Sequence, residues 1–212
     1  MDIFEQLEKM RIVPVIEIDR AEHAVPLAEA LTEGGLPVME ITLRTEAGLD
    51  AISAIAEALP DFLLGAGSLL TPAQVKDAAA RGAKFGVSPG HSQLLIETAE
   101  DAGLPFVPGA VTPSEVISAL EAGQKHLKFF PAEAFGGVKT IKSIVAPFAT
   151  AGIRIMPTGG VNPGNIKDYL SIPEVLAVGG SWIATRQQIE NGEFTRIAEA
   201  AREAVALVSA NH

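Results

Sequence analysis

Short apolar runs alternate along the chain with longer amphipathic segments. The runs predict strands at eight places, and successive strands begin roughly 20 to 28 residues apart, the length of one strand–loop–helix–loop unit. No linker, low-complexity tract or change in composition interrupts this repeat, so residues 1–212 are predicted to form a single domain. The predicted strands are residues 12–18, 38–44, 62–68, 85–88, 106–109, 126–130, 153–158 and 175–179.

The segments between the strands carry helix start and stop signals. Thr71 and Thr112 each precede a proline, a pair typical of an N-cap followed by proline at the first helical position. The segment at residues 22–32 is followed by the pair Gly34-Gly35, and the segment at residues 45–59 is followed by Pro60. Helices commonly end at such residues. The predicted helices include an extra N-terminal one at residues 2–10, further ones at 22–32 and 45–59, and a long closing one at 186–209.

Eight alternating strand–helix units favour a (β/α)8 TIM barrel. The barrel would be short, because the chain has 212 residues whereas about 250 is typical. An open doubly wound sheet also alternates strands and helices, and it is the alternative. The eight strands, and the absence of a Gly-x-Gly-x-x-Gly motif after the first of them, favour the barrel.

Ionisable residues interrupt two of the predicted strands. In residues 38–44, positions 39, 41 and 43 are apolar, whereas Glu40 and Arg44 share the opposite face, which is the interior of a barrel. Lys128 takes the same kind of position in residues 126–130. Burying a charge costs on the order of several kcal/mol unless it is paired. These residues therefore form either a structural ion pair or a site for an anionic ligand, unless Arg44 is exposed at its strand end.

Lys128 is the candidate nucleophile. A lysine amine attacks a carbonyl carbon only when it is deprotonated. The apolar Phe129 and Phe130 and a nearby cation such as Arg44 favour the free amine, whereas an ionised Glu40 favours the ammonium form, so the sequence leaves the balance open. Arg44 is also the candidate for holding a carboxylate through two parallel hydrogen bonds.

Composition narrows the range of partners and compartments. The chain has 16 Lys+Arg against 26 Asp+Glu, a net charge of −10, which argues against binding nucleic acid through a basic surface. It has no cysteine, which excludes disulfides, thiolate metal sites and a cysteine nucleophile. There is no signal-peptide pattern and no apolar run of about 18 residues. We therefore expect a cytoplasmic protein without a membrane or nucleic-acid partner.

A glycine pair lies at the end of each of the last two predicted strands. Gly159 and Gly160 follow the seventh, and Gly179 and Gly180 are at the end of the eighth, just before Ser181. Barrels often bind a phosphate group at these two loops, and residues without a Cβ let backbone N–H groups approach it. Ser181 would add a hydroxyl and cap a short helical turn at residues 182–184, whose N-terminus favours an anion. Two tight turns without a ligand are the alternative.

The motifs at these strand ends resemble those of the 2-keto-3-deoxy-6-phosphogluconate (KDPG) aldolases. These class I lyases are also called 4-hydroxy-2-oxoglutarate (KHG) aldolases when they accept that substrate. The resemblance extends from about residue 11 to residue 181, which is most of the chain. It is carried by VPVI at 13–16, EITLRT at 40–45, GAGS at 65–68, VSPG at 87–90, VPG at 107–109, LKFFPAE at 127–133, PTGG at 157–160 and GGSW at 179–182.

The resemblance implies a role for each matching residue. Lys128 matches the Schiff-base lysine, which also contacts the pyruvate unit, and Glu40 matches the base that moves protons. Arg44 and Ser68 match residues that hold the pyruvate carboxylate. The resemblance further implies a homotrimer that needs no metal or other cofactor. The remaining matches are Gly159, Gly160, Gly180 and Ser181 in the phosphate site, and Pro89, Phe130 and Thr158 lining the site.

A few positions depart from the family pattern. Ser68 stands where threonine is usual, which keeps the hydroxyl and loses a methyl group. His91 and Phe135 lie on the substrate side of the expected barrel, so they leave the range of substrates open. Glu17 is a second carboxylate near the end of the first strand, and we expect it to be a strand-end surface group.

The implied reaction is the cleavage of KDPG to pyruvate and glyceraldehyde 3-phosphate through a Lys128 Schiff base. A second implied substrate is 4-hydroxy-2-oxoglutarate, cleaved to pyruvate and glyoxylate. Four alternatives stay open. The substrate could be the galactonate epimer of KDPG, or the aldolase could depend on a metal ion with Glu40 as a ligand. The protein could also be a phosphate-binding barrel isomerase or transferase, in which Lys128 only pairs charge, or a phosphate-binding module without catalysis.

Overall fold

The computed structural model describes residues 2–209. Eight strands occur at the predicted places, and each is shorter than its apolar run. The last strand begins three residues after its predicted start, because Val175 forms only an isolated bridge with Ile155 and the regular strand begins at Val178. The strands are β1 (Ile12–Ile16), β2 (Val38–Thr42), β3 (Leu63–Gly67), β4 (Phe85–Val87), β5 (Phe106–Val107), β6 (His126–Phe129), β7 (Arg154–Pro157) and β8 (Val178–Gly180).

All strand pairs are parallel, as the alternation of strands and helices predicts. Six strands form one sheet in the order β5-β4-β3-β2-β1-β8, and β6 and β7 form a second, two-stranded sheet. The larger sheet is curled into a half-barrel. Isolated bridges connect the two sheets on both sides, between Gly109 and Lys128 and between Thr158 and Gly179. The carboxyl ends of all eight strands therefore meet on one side of the fold.

Ten α-helices lie among residues 2–209, and short 3-10 segments occupy Ala21–His23, Glu133–Phe135 and Ala146–Phe148. The predicted N-caps are confirmed, since Thr71 and Thr112 each form a capping box ahead of proline. The helices are α1 (Ile3–Met10), α2 (Ala24–Glu33), α3 (Gly48–Ala58), α4 (Pro72–Ala80), α5 (Gln93–Asp101), α6 (Pro113–Glu121), α7 (Gly137–Val145), α8 (Ile166–Leu170), α9 (Arg186–Glu190) and α10 (Phe194–Ser209).

Two predictions about the last part of the chain are wrong. The closing helix is divided into α9 and α10, because Gly192 adopts a φ of +68° and ends α9. Residues 182–184 form bends instead of a helical turn, so Ser181 caps no helix there. The next helix begins after Thr185, whose side chain accepts a hydrogen bond from the backbone N–H of Gln188.

The apolar core lies between the strands and the surrounding helices, and it fixes which strand residues face inward. On β2, Met39 and Ile41 are fully buried in that core, while Glu40 is buried on the alternate face. No helix within residues 2–209 is both long and apolar enough to cross a membrane.

Candidate active site

A buried ion pair occupies the inner face of β2 and β6. Lys128 Nζ donates hydrogen bonds to both carboxylate oxygens of Glu40, over 2.9 Å to Oε1 and 3.3 Å to Oε2. The Glu40 side chain is fully buried and that of Lys128 is 7% exposed. The predicted inward direction of both residues is confirmed, and each charge finds its partner in the other, as burial requires.

The carboxylate of Glu40 lies directly above a glycine of the neighbouring strand. β2 pairs with β3 so that Glu40 is opposite Gly65, and Gly67 follows one pleat further on the same face. A Cβ added to Gly67 would lie 2.0 Å from Glu40 Oε1. Gly67 therefore makes room for the Glu40 carboxylate, which strand periodicity did not reveal because a missing side chain leaves no pattern.

Arg44 lies at the rim of the site, two residues beyond the end of β2, with about half of its side chain exposed. Its Nε donates a hydrogen bond of 3.0 Å to Ser68 Oγ. Ser68 follows β3 and has a φ of +56°, a left-handed conformation that is unusual for a residue with a side chain. The two residues predicted to hold a carboxylate are thus in contact with each other.

A cavity of about 100 Å³ opens beside the ion pair at the carboxyl ends of the strands. It brings together Lys128, Arg44 and the glycine loops predicted to bind phosphate. Three further lining residues, Val15, Val161 and Gly179, were not among the predicted site residues. The two valines carry no chemical signal, and Gly179 belongs to the glycine pair of which Gly180 was predicted to bind the phosphate. The lining comprises Val15, Arg44, Lys128, Phe130, Thr158, Gly159, Gly160, Val161, Gly179 and Ser181.

The loop after β7 presents free backbone donors to this cavity. Gly159 and Gly160 have φ values of +96° and +82°, conformations that favour glycine. The side-chain amides of Asn162 and Asn165 both donate to the carbonyl oxygen of Gly160, over 3.0 and 3.1 Å. Within residues 2–209, the N–H groups of Gly159, Gly160 and Ser181 donate no hydrogen bond, so they are available to an anion.

Four of the predicted site residues do not line the cavity. Glu40 and Ser68 lie beside it, hydrogen-bonded to the lining residues Lys128 and Arg44. Gly180 is replaced there by Gly179, since the open side of Gly180 faces the ring of Trp182, 2.1 Å from an added Cβ. Pro89 packs against Gly109, which does not line the cavity either, with its carbonyl oxygen 2.2 Å from an added Cβ of Gly109. Thr158 does line it, and its buried Oγ1 has no hydrogen-bond partner in the described part of the chain.

A network of charged residues surrounds Arg44 at the rim. Glu17 lies between two cations, 3.9 Å from Arg44 and 3.7 Å from Arg186, so it is a partly exposed rim residue as expected. Arg186 donates two hydrogen bonds of 2.6 Å to Asp19. These hydrogen bonds hold the pKa of Asp19 below its ordinary value. The rim therefore combines both charge signs around the arginine.

The remaining singled-out residues lie away from the ion pair. His91 Nε2 is 3.0 Å from Ser118 Oγ, outside the cavity lining, and Phe135 is half-exposed on the 3-10 segment after β6. No group of three or more His, Asp or Glu side chains within residues 2–209 is arranged to hold a metal ion.

Comparisons with known proteins agree with this geometry. The family model "KDPG and KHG aldolase" matches residues 3–200. A KHG/KDPG aldolase of Escherichia coli is 46% identical over 92% of this chain and 90% of its own length. A 2-dehydro-3-deoxy-phosphogluconate aldolase of Pseudoalteromonas atlantica is also 46% identical, over 97% of this chain and 93% of its own.

Solved structures match over nearly the whole fold. A Legionella pneumophila KDPG aldolase, solved with pyruvate captured at low pH as a covalent carbinolamine intermediate, has a TM-score of 0.91 and 38% identity, covering 96% of this chain and 98% of its own. The aldolase of Zymomonas mobilis solved with 3-phosphoglycerate has a TM-score of 0.89 and 35% identity, covering 96% and 95%. The chain therefore belongs to the KDPG and KHG aldolase family.

Proposed function

We propose that this protein is a class I aldolase that cleaves KDPG to pyruvate and glyceraldehyde 3-phosphate through a Schiff base on Lys128. It also cleaves 4-hydroxy-2-oxoglutarate to pyruvate and glyoxylate. The observation that carries the proposal is the buried lysine that lines the cavity and is hydrogen-bonded to Glu40. The carbinolamine of pyruvate in the Legionella relative supports the same chemistry.

Glu40 serves first as the proton acceptor for Lys128. Transfer of one proton along the 2.9 Å hydrogen bond gives a free amine and a neutral carboxyl group, so no charge is left unpaired in the interior. The amine adds to the C2 ketone of the substrate, and Glu40 gives its proton to the hydroxyl group of the carbinolamine, so that loss of water leaves an iminium ion and an ionised Glu40. The iminium is the electron sink that makes cleavage of the C3–C4 bond feasible.

Glu40 then acts on the substrate as general base. Once ionised, it removes the proton of the C4 hydroxyl, directly or through one water molecule. The C3–C4 electron pair moves into the iminium, the aldehyde leaves, and an enamine of pyruvate remains on Lys128. Protonation of C3 by Glu40 and hydrolysis of the resulting iminium release pyruvate and restore the lysine.

The two ends of the substrate have separate binding groups. Arg44 and Ser68 hold the carboxylate of the pyruvate unit, since the Arg44 guanidinium has free donors besides the Nε bonded to Ser68. The free N–H groups of Gly159, Gly160 and Ser181 hold the phosphate. Binding energy from the phosphate orients the reacting carbons over Lys128.

The proposal includes a finer description of the architecture. The bridges of Gly109 with Lys128 and of Thr158 with Gly179 support closure of the eight strands into a complete (β/α)8 barrel, formed by residues 1–212 as one domain. Exposed Leu94 and Ile117, on neighbouring helices, support burial between subunits of a homotrimer. Sedimentation analysis tests the trimer, and cell fractionation tests the predicted cytoplasmic location.

Borohydride trapping tests the imine directly. Pyruvate and borohydride are added, the protein is digested, and the adduct is mapped; we expect it on Lys128. Lys128→Ala leaves a buried carboxylate unpaired, which costs about 3–5 kcal/mol, so Lys128→Arg is the better variant because it keeps the charge and forms no imine. Lys125→Ala, which removes an exposed lysine of the preceding loop, is the control. An adduct on another lysine would contradict the mechanism.

A retro-aldol assay determines the substrate. KDPG, its galactonate epimer and 4-hydroxy-2-oxoglutarate are compared by the rate of pyruvate release. We expect the highest kcat/KM for KDPG. A higher kcat/KM for the epimer would reassign the substrate without changing the chemistry. Retention of activity by Lys128→Arg would exclude the Schiff-base mechanism.

A further inference from the structure

A hydrogen bond behind the phosphate loop links two elements that the proposed reaction does not use. The hydroxyl of Tyr169, on α8, donates a short hydrogen bond to Glu133 Oε1, on the 3-10 segment after β6. Tyr169 is fully buried, and burial together with the Glu133 carboxylate raises the pKa of its phenol. Neither residue lines the cavity.

The Glu133 residue lies directly against the loop that would bind phosphate. Its backbone N–H donates to the carbonyl oxygen of Gly159 over 3.1 Å. A Cβ added to Gly160 would lie 2.5 Å from Glu133 Cγ, so the side chain fills the space beside that glycine. The position of the Glu133 side chain therefore limits where the two glycines can lie.

The α8 end of the same loop is held by a second set of contacts. The amide of Asn165 donates to the Gly160 carbonyl oxygen, and Tyr169 follows one turn later on the helix. Gly137 closes the space on the other side, where an added Cβ would lie 2.9 Å from Glu133 Oε1 and 3.0 Å from the Tyr169 hydroxyl oxygen. One oxygen of the carboxylate, Oε1, is consequently enclosed between the Tyr169 hydroxyl and Gly137 while the hydrogen bond exists.

We propose that Tyr169 and Glu133 are positioning residues for the phosphate site. The tyrosine hydroxyl keeps the glutamate carboxylate turned away from the phosphate, and it thereby keeps the Gly159–Gly160 loop in its binding conformation. The inference rests on the proposed function, because it assigns the phosphate of the substrate to this loop. Its physical basis is that a carboxylate that turns toward the loop repels an anionic ligand more strongly than one that a donor outside the cavity holds at a greater distance.

The test compares substrates with and without a phosphate in Tyr169→Phe, which removes a single oxygen atom. We expect the KM for KDPG to rise about three- to tenfold, with kcat unchanged within error. The kcat/KM for 4-hydroxy-2-oxoglutarate, which has no phosphate, should stay at the wild-type value. Competitive inhibition by inorganic phosphate should weaken by the same factor as KDPG binding.

Glu133 variants keep the test decisive if Tyr169→Phe folds poorly, since Glu133 is exposed. Glu133→Gln keeps an oxygen acceptor for the Tyr169 hydroxyl and removes the charge. The preference of this variant for KDPG over 4-hydroxy-2-oxoglutarate should therefore match that of the wild type. Combined with Tyr169→Phe, it should recover most of the lost phosphate affinity. Ser171→Ala is the control, because it removes an exposed hydroxyl at the end of α8 that donates to the backbone carbonyl oxygen of Asp168 and not to Glu133.

The possible failures are distinguishable. If Tyr169→Phe changes both substrates equally, or neither, while the wild type prefers KDPG and is inhibited by phosphate, this inference is wrong and the proposed function stands. If the wild type neither prefers KDPG nor responds to phosphate, the assignment of the phosphate site is wrong, and the inference falls with it.

Discussion

Gly67→Ala is the most informative single change, because it acts on the proposed general base, Glu40, without altering any chemical group. The added methyl carbon would lie 2.0 Å from Glu40 Oε1 and 2.6 Å from both Cγ and Cδ. An ordinary contact of about 3.5 Å requires the carboxylate to withdraw by about 1.5 Å. Glu40 is fully buried, so it can move only by straining its neighbours or lengthening its 2.9 Å hydrogen bond to Lys128.

The expected loss of activity follows from that displacement. A misplacement of about 1 Å costs roughly 10²-fold in rate, and complete loss of a positioned acid–base group costs at most about 10⁴-fold. We therefore expect kcat to fall by about 10²- to 10⁴-fold. The overpacked interior should also lower the free energy of unfolding by about 1–3 kcal/mol. Steady-state pyruvate release and urea unfolding measure the two effects separately.

Two further variants show whether the clash is the cause. Gly90→Ala is the matched control, since an added Cβ there has no atom within 4 Å and its φ is not left-handed, and it should keep wild-type activity. Glu40→Asp withdraws the carboxylate by one methylene, so adding Gly67→Ala to it should cost much less than in the wild type. A folded Gly67→Ala enzyme with wild-type kcat would refute the assignment of Glu40 as a positioned base.

Three other expectations are simpler to test. Glu40→Gln should lower kcat by roughly 10²- to 10⁴-fold; a loss smaller than about tenfold would make Glu40 a structural partner of Lys128 only. Ser68→Gly and Ser68→Ala should both raise KM, because each loses the hydrogen bond to Arg44. In urea unfolding, the glycine variant should be more stable than the alanine variant by about 1 kcal/mol, since only alanine keeps the strain of the left-handed backbone conformation. The pKa of Tyr169 is raised in the folded state, so the contribution of this residue to stability is complete below about pH 10 and is lost as the pH rises further. The chain has a single tyrosine, so an absorbance titration should show no ionisation at the ordinary pKa of tyrosine until the protein unfolds.

The sequence by itself determined the repeat of eight strands and helices and the inward direction of the ion pair. Both follow from local periodicity: a strand places alternate residues on opposite faces, and parallel strands align their carboxyl ends on one side. Glu40 and Lys128 therefore had to share the interior, although 88 residues separate them. The family resemblance added roles that the residues alone left open.

The tertiary structure decided which groups are in contact at close range. It showed that Gly67 makes room for Glu40, that Gly179 lines the cavity instead of Gly180, and that the Tyr169 hydroxyl is hydrogen-bonded to Glu133 beside Gly160. These features depend on distances of a few ångströms between segments far apart in the chain, on rotamers, and on loop conformations. Periodicity fixes the face on which a residue lies, whereas packing alone fixes which atoms meet there, because close-packed interiors leave no other room.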